Sequence, residues 1–153
     1  MSISILLVPA VAAATAAAAA LTERHDQRGE DRVVCQVQTR MRDAALLAAA
    51  LRDTRAVVTG EDEHALQAEW QGVSARFVRD EDGIWTAHFT GDVDRQRAIE
   101  IVTAVDAAYG RHVQQTVIQR LRDRAPAAGL RLESETVKAD ASVELVFTVE
   151  ARA

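Results

Sequence analysis

The side chains that do most protein chemistry are few and widely spaced in this sequence of 153 residues. Its one cysteine, Cys35, stands beside Val34 and near Val37, with no charged residue between Val33 and Thr39. A reactive thiolate needs a base, a cation or a helix N-terminus beside it, so this setting predicts a buried, inert thiol. His25, His64, His88 and His112 fall on a charged linker, a turn, a strand and a helix, and no two have metal-ligand spacing within one element. A metal centre needs three or four converging ligands, so these read as solvated or structural histidines. The acidic runs at 61–63 and 80–82 place adjacent carboxylates in tight turns, where they point apart instead of grading around a cation. The one asymmetric charge feature is basic. Arg111, Arg120, Arg122, Arg124 and Arg131 lie on or just after a long helical stretch, against a single Asp123. They form a candidate interaction surface, with a solvated helix face as the plain alternative.

No phosphate-binding glycine loop, GxGxxG, GxSxG, HExxH or CxxC motif occurs. These motifs place a nucleophile, a metal or a phosphate at a fixed point on an element. The expectation is therefore no catalytic residue, no metal ligand and no cofactor. An enzyme would have to assemble dispersed residues such as Cys35, His88 and His112.

Composition narrows the classes further. Nine Gly and Pro residues exclude a collagenous or disordered chain. The lone cysteine excludes an intrachain disulfide framework. Eighteen basic against 23 acidic residues give a net charge of −5, which argues against nucleic acid, because phosphate binding needs a cationic surface. Seventeen of the basic residues are arginine.

Charge is absent from residues 1–22 and dense afterwards. Twenty-two helical residues reach about 33 Å, enough to cross a hydrocarbon core. The first half carries Ile3, Ile5, Leu6, Leu7, Val8 and Val11; the second is mostly alanine. The leading expectation is an apolar N-terminal helix that anchors the chain in a membrane. A cleaved secretory signal is the alternative, although no basic residue precedes the apolar run. A soluble alanine-rich helix packed on a partner is the third reading. Arg24, Arg28 and Arg32 follow the segment, so a single-pass anchor would leave the C-terminal domain cytoplasmic. Residues 23–32 hold seven charges and no apolar side chain and read as a linker.

Residues 33–153 have the length of one domain. Period-two alternation predicts strands at 33–41, 56–59, 66–70, 73–79, 84–90, 130–137 and 141–149. The segment Asp80–Gly83 predicts a hairpin turn, and a second hairpin turns around Ala139 and Asp140. A helix over 42–55 buries Ala45, Leu46, Ala49 and Leu51. A long helix starts near Asp92 or Asp94. Its stripe of Ile101, Val102, Val105, Tyr109, Val113, Val117 and Leu121 ends at Pro126 and Gly129, and Gly110 is a point where it could bend. Trp70, Trp85, Phe77, Phe89 and Phe147 fall on strands, where core packing is their expected role. The fold class is α+β: an antiparallel sheet covered on one face by two or three helices, preceded by the N-terminal helix.

From Val37 onward the pattern resembles a family of small conserved hypothetical proteins of cyanobacteria and algal plastids, with relatives in other bacteria. The similar residues are Val37–Gln38–Thr39, then Asp43, Leu47, Ala50 and Leu51, then Trp70–Gln71–Gly72, Asp82–Gly83, Tyr109, Gly129, Glu133 and Glu135. The sequence departs from that pattern in its N-terminal apolar segment and in lacking an aromatic ending. The resemblance implies a small α+β fold and carries over no catalytic residue.

These readings predict a membrane-tethered, non-enzymatic α+β module that acts through protein contacts. Its partners would be the membrane, through residues 1–22, and a protein or a second copy of itself. A small-molecule or lipid-binding domain using the concave side of the sheet is the alternative.

Overall fold

The computed structural model describes residues 2–7, 35–60 and 62–150. The chain is α+β, and its described residues belong to two compact units, one ending at Tyr109 and the other combining residues 1–10 with residues from Gly110 on. All strand pairings among the described residues are antiparallel.

In the unit that ends at Tyr109, strands β2 (Cys35–Gln38), β3 (Val57–Thr59), β4 (Ala65–Trp70), β5 (Val73–Arg79) and β6 (Trp85–Gly91) form one sheet in the order β2-β6-β5-β4-β3. Alternation makes the sheet two-sided. Cys35, Val37, Leu66, Ala68, Val73, Ala75, Phe77, Trp85, Ala87 and Phe89 are all buried on one face. Helix α1 (Ala44–Asp53) supplies Leu47, Ala48, Ala50 and Leu51 to that face. The first half of helix α2 (Arg95–Arg124) supplies Ala98, Val102, Val105 and Ala108. Both helices start at aspartates: Asp43 Oδ1 accepts from the Leu46 amide at 3.0 Å and Asp94 Oδ1 from the Arg97 amide at 2.7 Å. Each satisfies a donor that the first helical turn leaves without a partner.

The segment between β5 and β6 closes as its sequence predicts. The Gly83 amide donates to the Asp80 carbonyl at 3.0 Å, and the Ile84 amide to Asp80 Oδ1 at 2.7 Å. At the other end of the sheet, a Cβ on Gly91 would lie 2.8 Å from the Gly72 carbonyl oxygen. Only glycine fits that approach, and its φ of +93° adds a second reason.

The other unit holds strands β1 (Ser2–Leu7), β7 (Leu130–Val137) and β8 (Val143–Val149) in the order β1-β8-β7. Ile118 and Ala125 bury against Val143, Leu145 and Phe147, with Ile5, Leu121, Leu130 and Leu132 partly buried around them. Pro126–Ala128 forms a short 3-10 turn after α2, and Gly129 follows at φ +70°.

The strands form two sheets where a single one was expected, and helix α1 buries Leu47, Ala48 and Ala50 where Ala45, Leu46 and Ala49 were expected beside Leu51. Two further expectations are corrected. The N-terminal segment does not begin as a helix: Ser2–Leu7 is a strand, registered from Ser2 opposite Thr148 to Leu7 opposite Val143. Serine and β-branched isoleucine alternate over 2–5, a period-two pattern that pairs better than it coils. The remainder of the expected anchor and the whole linker lie outside the described residues, along with His25, Arg24, Arg28 and Arg32. Among the described residues no helix is long and apolar enough to cross a membrane.

The second correction concerns the phase of the long helix. It runs unbroken through Gly110, but Val113 and Val117 are only half-buried and belong to neither core. The buried positions shift from Ala98, Val102, Val105 and Ala108 to Ile118 and Ala125. Apolar spacing alone could not separate these sets, because valines recur at threes and fours along the whole helix.

Candidate functional site

Helices cover one face of the five-stranded sheet, and the residues that alternate with the core strands define the opposite face. Strand register aligns them in rows. Gln36 lies opposite His88, His88 opposite Arg76, Arg76 opposite Gln67, and Gln67 opposite Thr59. On one side of this row runs Gln38, Thr86, Val78 and Ala65; on the other runs Thr90, Ser74, Glu69 and Val57. None of these residues is fully buried. An antiparallel sheet can present such a face to water, and this one carries two amides, an imidazole, a guanidinium and hydroxyls in register.

His88 stands second in the row, between Gln36 and the central Arg76. Its half-buried position pushes its pKa below the ordinary histidine value, and the adjacent Arg76 guanidinium pushes it further the same way. Both effects disfavour the imidazolium, so at neutral pH His88 is a neutral donor and acceptor beside a fixed positive charge.

Cys35 occupies the other face. It lies opposite Phe89 while its neighbour Gln36 lies opposite His88. Residues opposite one another point to the same side and successive residues to opposite sides, so Cys35 and His88 are divided by the sheet itself. Burial pushes the Cys35 thiol up, against a smaller opposing influence of Arg95. The pair therefore lacks both the contact and the electrostatics of an activated nucleophile. His112 lies on the part of α2 that belongs to the other unit.

In the acidic turns, Asp62 and Asp80 direct their carboxylates to the backbone. Asp62 Oδ1 accepts from the amides of His64 at 2.7 Å and Ala65 at 2.6 Å, and these bonds hold its pKa below the usual carboxylate range. Asp80 accepts from Ile84 in the same manner. Glu61 lies outside the described residues. Among the described residues no group of three or more His, Cys, Asp or Glu is placed to hold a metal ion.

The five arginines expected to form one surface divide by their contacts. Arg122 pairs with Glu135, and Arg131 lies 3.6 Å from Glu150. Arg111 is also engaged. Arg120 and Arg124 are exposed, one helical turn apart. At about 100° per residue, they project from the side of the helix opposite Arg111 and Arg122.

Thr39, Asp43 and Tyr109 converge elsewhere, on the loop from β2 to α1. The Tyr109 hydroxyl accepts from the backbone amides of Arg42 at 3.2 Å and Asp43 at 3.0 Å. The Thr39 hydroxyl donates to the Trp85 carbonyl and accepts from the Met41 amide at 3.2 Å. Arg40 clamps both carboxylate oxygens of Asp106 at 2.8 and 2.7 Å. Thr39, Asp43 and Tyr109 thus fix α1 and α2 on the sheet, a positioning role for backbone and not a chemical one.

The polar row escaped sequence reasoning although half of its signal was visible. Gln36 and Gln38, Gln67 and Glu69, Ser74 and Arg76, and Thr86, His88 and Thr90 all alternate with apolar residues. What alternation could not supply was the register that aligns them across five strands. Compared with known protein families, curated proteins and solved structures, the chain matches none.

Proposed function

We propose that the chain is a non-enzymatic α+β module that acts through protein contacts, made by the open face of its five-stranded sheet. The observation that carries this reading is the division of the sheet. The thiol faces a packed core, while Gln36, His88, Arg76 and Gln67 stand in register on the other side. A rigid core behind the row limits the ordering cost of binding. Arg76 is accompanied by Glu69 on the same face, so the surface suits a hydrogen-bonding protein partner better than a polyanion. The test is partner capture by the full chain, comparing wild type with Arg76→Glu and with Gln36→Ala/Gln67→Ala. Both variants should melt as the wild type does and lose the partner. Undiminished capture by both would contradict the open face as the contact surface.

The membrane tether belongs to this proposal as a competing destination for the N-terminal segment. Its support is the uncharged stretch 1–22 followed by Arg24, Arg28 and Arg32, which favours a cytoplasmic domain. A residue paired in a sheet cannot also lie in a bilayer helix. With β1 on β8, residues 8–22 would give about 22 Å of helix, short of a core of about 30 Å. A tether therefore requires β1 to leave β8. Alkali-resistant sedimentation of the full chain with membranes would establish it, and recovery wholly in the soluble fraction would exclude it.

A further inference from the structure

We propose that β1 is a self-association strand: two copies of this chain pair antiparallel through the outer edges of their β1 strands, joining two three-stranded sheets into one of six. This names a second copy as one partner of the module proposed above and rests on that reading. Among the described residues β1 has a single neighbour, β8, so half of its backbone donors and acceptors point away from the sheet. An edge of this kind is a template for another strand.

The four edge strands differ in how they are guarded. Strand β7 carries Arg131, Glu133 and Glu135, and its pairing is irregular between Leu132 and Ser134, a bulge that disrupts regular pairing. Strand β2 has four residues and β3 has three, too short to offer much pairing. Strand β1 has six residues, SISILL, with no charge, no proline and no register shift. Leu6 leaves 52% of its surface exposed, against the half-buried Ile5 on the core side. The strand is uncharged, regular and long enough to pair.

The occupant is defined by the same features. A second β1 is an uncharged strand of equal length, and antiparallel pairing about a two-fold axis needs no other complementary element. Keeping both core faces on one side requires a residue on the axis, because a slip of one residue exchanges the faces. With Ser4 on the axis, Ile3 stands opposite the second copy's Ile5. With Ile5 on the axis, Ser4 stands opposite the second copy's Leu6.

With Ser4 on the axis position 4 faces itself, and with Ile5 on the axis position 4 faces position 6, so either register sets like charges introduced at 4 and 6 against each other; both positions are exposed in the single chain. Sedimentation velocity on the full chain should find a dimer. The Ser4→Lys/Leu6→Lys chain should be a monomer with unchanged melting, since like charges directly opposite destabilise a pair. Mixing it with a Ser4→Glu/Leu6→Glu chain should restore a dimer with one copy of each. Hydrogen exchange on the wild type needs no variant: the outward amides of β1 should gain protection as concentration rises. A wild type monomeric at every concentration overturns the proposal, as does a lysine variant that remains a dimer. Flotation on phosphatidylcholine vesicles with β1 shielded by lipid also overturns it. A dimer that withstands the lysines would leave the protein-contact reading standing on the Arg76 face. Capture unaffected by Arg76→Glu, with the lysine variant monomeric, would do the reverse.

Discussion

The two units solve the same problem with unequal means. Among the described residues, twenty-one form the core under the five-stranded sheet, Trp85, Phe77, Phe89 and Met41 included. Five of the described residues form the core under the three-stranded sheet, with Phe147 the only aromatic among them. Burial of apolar area is the main favourable term in folding, so the larger core can hold an open polar face rigid on its far side. The smaller one relies on its margins, where Ile5, Leu121, Leu130 and Leu132 are only partly buried. The difference fits the different work proposed for the two: a supported binding face in one, and an edge completed by an added strand in the other.

The sharpest way to break this comparison is along α2. Val105 is fully buried, whereas Val113 belongs to neither core. Val105→Asp should cost about 3–5 kcal/mol, the usual penalty of an unpaired buried charge. Val113→Asp should cost much less. Chemical denaturation of the two variants measures the difference, and equal losses would place the helix in the wrong phase.

Next in size is the contrast between the cores. Phe89→Ala should cost about 3–5 kcal/mol, because the ring is fully buried and stacks on Trp70 with centroids 6.5 Å apart. Ile5→Ala, at a partly buried site in the smaller core, should cost less than half as much. A greater loss at Ile5 would mean that β1 is central to its unit, not a margin.

Tyr109→Phe removes the acceptor for two backbone amides, Arg42 and Asp43. The expected loss is about 0.5–1.5 kcal/mol by denaturation, because both amides are at exposed positions where water replaces the hydroxyl, with the open face unaffected in partner capture.

The smallest effect is a pH dependence. His88 has a lowered pKa in the folded chain, so the unfolded chain binds the proton more readily. Stability should therefore fall as pH drops below about 6.5, the ordinary histidine value, toward the folded value. His88→Gln should flatten that slope. An unchanged slope would mean that His88 is more freely solvated than its place in the row indicates.

Much of the fold was legible because alternation and helical spacing are local. A start of the long helix at Asp92 or Asp94, of which Asp94 is the cap, the Asp80–Gly83 turn and the inward Val143, Leu145 and Phe147, though not the exposed Val149, all follow from neighbours in sequence. The misread parts depend on distant partners. The alternation of serine and isoleucine over 2–5 carried a local hint of a strand, but the edge that Ser2–Leu7 pairs with, Val143–Val149, lies at the far end of the sequence. The candidate site was hidden for the same reason. Gln36, Arg76, His88 and Gln67 are ordinary polar residues on ordinary strands until register sets them side by side. Of the arginines, Arg122 and Arg131 were matched by Glu135 and Glu150 on strands beyond the reach of a helix pattern.

The central claim is that the five-stranded sheet hides its nucleophile and displays its polar row. Native thiol labelling near neutral pH tests it with two chains: the wild type, and Gln36→Cys in a Cys35→Ala background. These place one thiol at successive positions of the same strand. The account predicts slow labelling of Cys35 until the chain is denatured, and native labelling faster by on the order of tenfold or more at position 36. Equal native rates, or faster labelling of Cys35, would contradict it.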